Sequence, residues 1–308
     1  MFDSLFAEGG LSLERLRSFC MVADAAGVSK AALKSASRQS QFSRQIKDLE
    51  TFFGVELMKR HSKGVVLTTA GKRLAKTARE ILWELEDFAV DCKAVPQTFS
   101  IGAGDSLLQW LLFPNIGALQ SALPKVGLNV YGLPTLEIVD RVSDFRLDFG
   151  LVRKDAVSPG LECQSLGLEA YALFVPRRLL SGTKPPTLNE VLSKVPLTTI
   201  AGEGRFRSTL LKQARKHKLP LRFSLCCSTF PQAARALRSE RYAAILPTIA
   251  VDELDSDRFA MISTAPLESQ TREICLVWNP RSAQLRPRTT AIRDCLVKFL
   301  KLPTKISP

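Results

Sequence analysis

Between residues 38 and 47 the chain sets Arg38, Gln39, Ser40, Gln41, Ser43, Arg44 and Lys47 among Phe42 and Ile46, with Leu49 just beyond. At helical spacing the polar groups share one side and the apolar ones the other. These groups suit recognition. An arginine can grip both major-groove acceptors of guanine, a glutamine can read adenine, and a lysine suits a phosphate. Bond-making chemistry needs a nucleophile with its base, paired carboxylates or metal ligands. No such set is legible, so no catalytic residue and no cofactor is expected, and the chain reads as a non-enzyme. His61 and His217 lack ligand spacing, so no metal site is expected either.

Charge agrees with a polyanionic partner. The 308 residues carry a formal +13 at a mean hydropathy of +0.04. Residues 28–79 hold twelve Lys/Arg against three acids, while 80–92 hold five acids and no base. The start, MFDSLFAEGG, has no basic n-region, and no apolar run approaches the ~20 residues of a membrane span. Seven cysteines without a C-x-x-C pair fit a reducing compartment, so a cytoplasmic protein with no membrane partner is expected. Cys226 and Cys227 read as buried apolar filler; a redox sensor is the other reading.

The elements that must hold the polar face come next. Leu13, Leu16, Phe19, Cys20, Ala23 and Ala26 recur at helical spacing up to Gly27. Ser29 is placed to cap a short second helix carrying Lys30. A turn near Ser37 leads into the polar helix, which stops at Gly54. This is the helix-turn-helix pattern, whose second helix enters the major groove. VELMKR and GVVLTT flank a hairpin-sized turn and read as a wing with Lys59, Arg60 and Lys63 on phosphates. A long helix follows, with Leu67, Gly71, Leu74, Ala78, Ile81, Leu85, Phe88 and Cys92 spaced as alternating a and d positions. It reads as a dimerisation helix, the alternative being a helix lying on its own domain. Pro96 stops it.

From residue 97 strands and helices alternate, which indicates an α/β region with a parallel core sheet. The pattern restarts after Leu166, and REICLVWN with the last helix returns to the first half. The expected layout is a DNA-binding domain over 12–70, a linker over 71–96 and an effector domain over 97–308. Within the last, lobe one is about 97–165 plus 266–308, and lobe two about 166–265. Ser106, Thr135, Ser228 and Thr229 sit at strand-to-helix turns. They read either as helix caps or as effector contacts in a cleft where free N–H groups favour an organic anion. Residues 205–222 hold seven bases and no acid, a solvated helix face or a second contact to DNA or protein.

The residues LERLRSFCMVADAAGVSKAAL, QSQFSRQIKDLETFFGVEL and KRHSKGVVLTTAGKRL, then IGAG, LDFGLV and AILP, resemble the LysR-type transcriptional regulators. The likeness is specific over 12–70 and looser over 97–308. It implies an α/β protein with an N-terminal winged helix-turn-helix, a long linker helix and a two-lobed periplasmic-binding-like effector domain. It also implies dimers pairing into tetramers on double-stranded promoter DNA, under control of a small-molecule effector, with RNA polymerase as a further partner. Arg38 stands where the family has serine and Gln41 where it has a small aliphatic, which implies altered base contacts. Tyr242 replaces a glycine, and at a cleft mouth it would narrow or fill the pocket. A regulator with a closed pocket is therefore the alternative. A solute receptor or two-lobed enzyme would leave residues 12–70 without a use.

Overall fold

The computed structural model describes residues 3–6, 9–33, 35–61, 64–93, 96–180, 187–201, 205–264, 271–286 and 288–302. Two compact units divide the chain, the first holding 1–97 with 143–146 and 281–287, the second holding the remainder.

The first unit runs through α1 (Asp3–Phe6), α2 (Leu13–Asp24), α3 (Val28–Ala31) and α4 (Ala36–Phe53). Ser12 caps α2 by accepting from the Arg15 N–H at 3.2 Å. The chain leaves α2 through Ala26, at φ 51, so α3 begins at once after Gly27. Ser29 is therefore already helical, and the expectation that it caps α3 is corrected, because a cap residue needs non-helical backbone. Phe42, Ile46 and Leu49 of α4 join Leu16, Phe19 and Val22 of α2 in one core. Each such side chain contributes about 1.5–3 kcal/mol on burial. Gly54 ends α4 in the left-handed region, φ 64, where a side chain would be strained.

Strands β1 (Met58–His61) and β2 (Gly64–Leu67) form an antiparallel hairpin with Met58 opposite Leu67 and Arg60 opposite Val65. Glu50 Oε1 accepts the N–H groups of Leu57 and Met58 at 2.8 and 3.3 Å, so α4 itself anchors the wing. Thr68 Oγ1 accepts the Gly71 N–H at 3.0 Å and opens α5 (Thr69–Lys93). The expected seam on α5 splits in two. Ala78 is fully buried in the unit's own core with Leu74 packed partly against it, whereas Ile81, Leu85 and Phe88 are exposed. Ala78 is thereby corrected from a partner contact to a core residue.

The second unit holds two lobes. The first contains β3 (Gln97–Ala103), α6 (Asp105–Leu107), α7 (Ile116–Ala122), β4 (Val126–Gly132), α8 (Thr135–Ser143), β5 (Phe149–Arg153) and β6 (Glu162–Glu169). The second contains β7 (Tyr171–Pro176), α9 (Leu188–Lys194), β8 (Leu197–Ile200), α10 (Arg205–Lys216), β9 (Phe223–Cys227), α11 (Phe230–Leu237), β10 (Ala243–Pro247) and β11 (Phe259–Ser263). Then β12 (Arg272–Trp278) and α12 (Arg288–Phe299) rejoin the first lobe, whose core takes Ile274, Leu276, Ile292 and Leu296. The sheet orders are β4-β3-β5-β12-β6 and β11-β7-β10-β8-β9.

Both sheets are mixed, which corrects the expectation of a parallel core sheet. β3/β5, β8/β9 and β8/β10 are parallel, but β12 runs against β5 and β6, and β7 runs against β10 and β11. Each crossing between lobes delivers a strand running the other way. The lobe boundary also moves: Glu169 pairs with Arg272 in the first sheet, so the crossing lies at Ala170 and not at 165–166. Cys226 is exposed because β9 is an edge strand, which corrects its reading as buried filler.

Candidate functional site

Burying Phe42, Ile46 and Leu49 turns the opposite side of α4 outward. Arg38, Ser40, Gln41, Ser43, Arg44 and Lys47 are exposed there, and Gln39 is half-buried. Ser29 and Lys30 are exposed on α3, and Lys59 is exposed on the wing. Arg60 holds its place in β1, while Lys63 lies outside the described residues. The acids of α4 are committed elsewhere. Asp48 accepts from Arg15 at 3.0 Å, and Glu50 holds the wing. The outward face between Arg38 and Lys47 therefore carries positive charge with no acid of its own helix to offset it. One residue on it has a second engagement. Gln41 Nε2 donates to Glu14 Oε1 at 3.2 Å, beside Gln45 at 3.0 Å, so base reading by Gln41 requires that amide to let go of Glu14.

The first unit also carries an apolar groove of about 640 Å³, lined by Leu11, Phe53, Val55, Leu74, Thr77 and Ile81 among others. It lies alongside the exposed half of the α5 seam.

In the second unit, strand register decides which edges face each other. Leu133 N–H donates to Ala103 O at 3.0 Å, so β4 ends beside the end of β3; Ser106 and Thr135 follow those ends. Ile274, near the start of β12, pairs with Arg153 at the end of β5, and Arg272 pairs with Glu169 where the chain leaves β6. The crossing thus springs from the same edge that carries Ser106 and Thr135. In the second lobe Tyr171 pairs with Pro247 and Ile200 with Cys227, so Ser228 and Thr229 follow the edge that receives the crossing. Ligands of open α/β sheets bind beyond such carboxyl ends. Thr229 does cap α11, accepting from Gln232 N–H at 3.4 Å. Ser106 does not cap, since Gly104 precedes α6 without a side-chain bond.

Tyr242 is corrected by the same register. Ala243 pairs with Leu197 at the start of β8, so Tyr242 sits at the amino end of β10, opposite to Ser228 and Thr229. Five residues at ~3.3 Å each separate it from that edge by roughly 16 Å. It neither narrows nor fills the cleft.

Sequence reasoning missed the groups at the crossing itself. Tyr171 Oη donates to Glu169 Oε2 at 2.8 Å, and both are buried. Burial raises the Glu169 carboxyl, against the Tyr171 bond and the charges of Arg272 and Arg153. The Arg272 guanidinium lies 5.4 Å from the Tyr171 ring and 5.5 Å from the Phe206 ring. Two arginines therefore mark this edge. On the other side Trp110, carried by a π-helical turn of the first lobe, is buried in the second lobe's core and donates to Glu253 at 2.9 Å. Glu169 and Tyr171 stand two residues apart, but Arg272 and the Trp110–Glu253 pair meet their partners only across long stretches of chain, which no local feature signals.

Residues 13–72 match the model of the bacterial regulatory helix-turn-helix protein, lysR family, and residues 94–301 match the LysR substrate binding domain. The chain belongs to the LysR family. This LysR-family chain is 30% identical over 212 residues to the HTH-type transcriptional regulator BbuR of Bordetella bronchiseptica, covering 66% of this chain and 64% of that one. It spans just under two thirds of the length of the curated relatives it matches. Full-length CbnR complexed with its target DNA shares the fold at TM-score 0.58 and 20% identity, over 92% of this chain and 99% of that one. LysG from Corynebacterium glutamicum with bound effector Arg does so at TM-score 0.63 and 15% identity, over 95% and 100%. Among the described residues no helix is long and apolar enough to cross a membrane, and no cluster of metal-binding side chains is present.

Proposed function

We propose that this LysR-family chain is a transcriptional regulator that reads double-stranded promoter DNA. Helix α4 enters the major groove with Arg38, Gln39, Ser40, Gln41, Ser43 and Arg44 toward base edges. Lys47, the wing's Lys59, Arg60 and Lys63, and α3's Ser29 and Lys30 meet phosphates. The observation that carries this reading is the outward face of α4, a row of donors free of its own helix's acids while Phe42, Ile46 and Leu49 anchor it from behind. CbnR has been solved with its target DNA, which lends the fold a precedent.

Two headpieces are needed for two half-sites. Ile81, Leu85 and Phe88, with the groove beside them, supply the surface for a second copy, and dimers pair further into tetramers. The cytoplasm is the compartment in which such a protein meets promoter DNA, and RNA polymerase is the partner through which it acts. A small organic anion binds between the edges bearing Ser106 and Thr135 and those bearing Ser228 and Thr229. Arg153 and Arg272 at the crossing favour negative charge there. Asp105 is exposed, and its carboxylate lies against Gly132 of β4.

Selection of duplexes from a random pool by the full chain tests the reading. A sequence-specific reader enriches one motif of two related half-sites. A pool that stays random after repeated rounds contradicts it.

A further inference from the structure

Helix α10 carries a face that the functions above leave unused. Phe206, Leu210 and Ala214 are buried in the second lobe, which turns Ser208, Lys212, Arg215 and Lys216 to solvent. Lys218 and Arg222 continue the exposed series. Residues 205–222 contain no acid. Two of the lobe's carboxylates are engaged by other arginines: Glu240 by Arg178 and Arg258, and Glu253 by Arg238. Lys212, Arg215, Lys216, Lys218 and Arg222 have no ionic partner among the described residues.

A helix C-terminus favours cations, which explains Arg215 and Lys216 without any partner. It does not explain Lys212, one turn earlier, or Arg222, beyond the helix. Nor does it explain Lys218, which closes α10 at φ 52 while Leu219 N–H donates to Ala214 O at 2.8 Å. Glycine or asparagine is the easy choice at such a left-handed position. A lysine there keeps the charge at the cost of strain.

We propose that this face is a second DNA contact, binding the phosphates of duplex that flanks the stretch read by α4. The proposal rests on the DNA-binding reading above. The chemistry favours a nucleic-acid backbone over an acidic protein because no large apolar side chain is exposed between 205 and 222. Protein interfaces are anchored by such side chains, whereas phosphate binding is carried by charge. Lys212 to Lys216 covers about 6 Å of helix axis, roughly two base-pair steps, and Lys218 and Arg222 extend the row beyond the helix.

The test uses the full chain and a variant with Lys212→Gln, Arg215→Gln, Lys216→Gln and Lys218→Gln. A control with Lys125→Gln, Arg235→Gln, Arg241→Gln and Lys301→Gln loses the same charge from other exposed positions. All three should melt at the same temperature. Affinity for duplexes of about 20 and about 60 base pairs, centred on a selected site, is measured as salt is raised. On the long duplex the parent and control should share a slope of log K against log salt that is steeper than the α10 variant's by about 3.6 units for each chain bound. On the short duplex all three slopes should coincide. If the α10 variant and the control coincide on the long duplex as well, the proposal fails and the face is left to an acidic protein. A parent that binds neither duplex would instead sink the DNA-binding reading itself.

Discussion

Gly71 of α5 rests directly on the backbone of Leu57: a Cβ built on Gly71 would lie 2.0 Å from the Leu57 carbonyl oxygen. That contact presses the linker helix onto the residue where the wing begins. Ordinarily Gly→Ala inside a helix stabilises by about 1 kcal/mol. Here the neighbour is backbone and cannot rotate away, and overpacking costs about 1–3 kcal/mol. Gly71→Ala is therefore expected to lower stability in chemical denaturation. An unchanged or raised midpoint would show that α5 can lift off Leu57 freely.

Leu85→Asp and Ala78→Asp separate the two halves of α5. Leu85 is 45% exposed and Ala78 is 0% exposed. A charge at Leu85 should leave the melting temperature near the parent's while sedimentation shifts to smaller species. At Ala78 it should unfold the headpiece, because an unpaired buried carboxylate costs several kcal/mol. If both variants melt alike and sediment like the parent, the exposed half of the helix is not the dimer surface.

Cys20 offers a pH prediction. Burial pushes its thiol up to about 11 from the ordinary 9.0, with Arg79 opposing and Asp24 assisting. The unfolded chain loses this proton first, so the stabilisation is complete below pH ~9 and is lost as pH rises toward ~11. Two units correspond to roughly 2–3 kcal/mol. Denaturation midpoints of the parent should fall over that window more steeply than those of Cys20→Ala. Parallel curves would contradict a buried, protonated thiol.

For the effector, a thermal-shift screen of carboxylates, amines and sugars is the check. A ligand at a hundred times its Kd stabilises the bound state by about 2.7 kcal/mol. Carboxylates are expected to raise the melting temperature, and Arg272→Gln should abolish that rise. Hits among amines alone would overturn an anion site.

The winged headpiece was legible because its signals are local. Phe42, Ile46 and Leu49 define the buried side of α4 by spacing, and Gly54 marks its end. The seam was only half legible, because heptad spacing cannot say whether Ala78 faces its own core or another chain. Tyr242 was misplaced since a motif position carries no strand direction; the register of β10 on β8 supplies it. Arg153, the Glu169–Tyr171 pair and Arg272 stood apart in sequence, and strand pairing through β12 brings them to one edge.

Base reading by Arg44 is tested most directly by titrating the parent, Arg44→Ala and Lys59→Ala on a selected duplex and on the same duplex scrambled. Arg44→Ala should cost about 1–3 kcal/mol on the selected duplex and little on the scrambled one. Lys59→Ala should weaken both alike and reduce the salt slope by roughly one. Equal losses for Arg44→Ala on both duplexes would contradict sequence reading by the exposed face of α4.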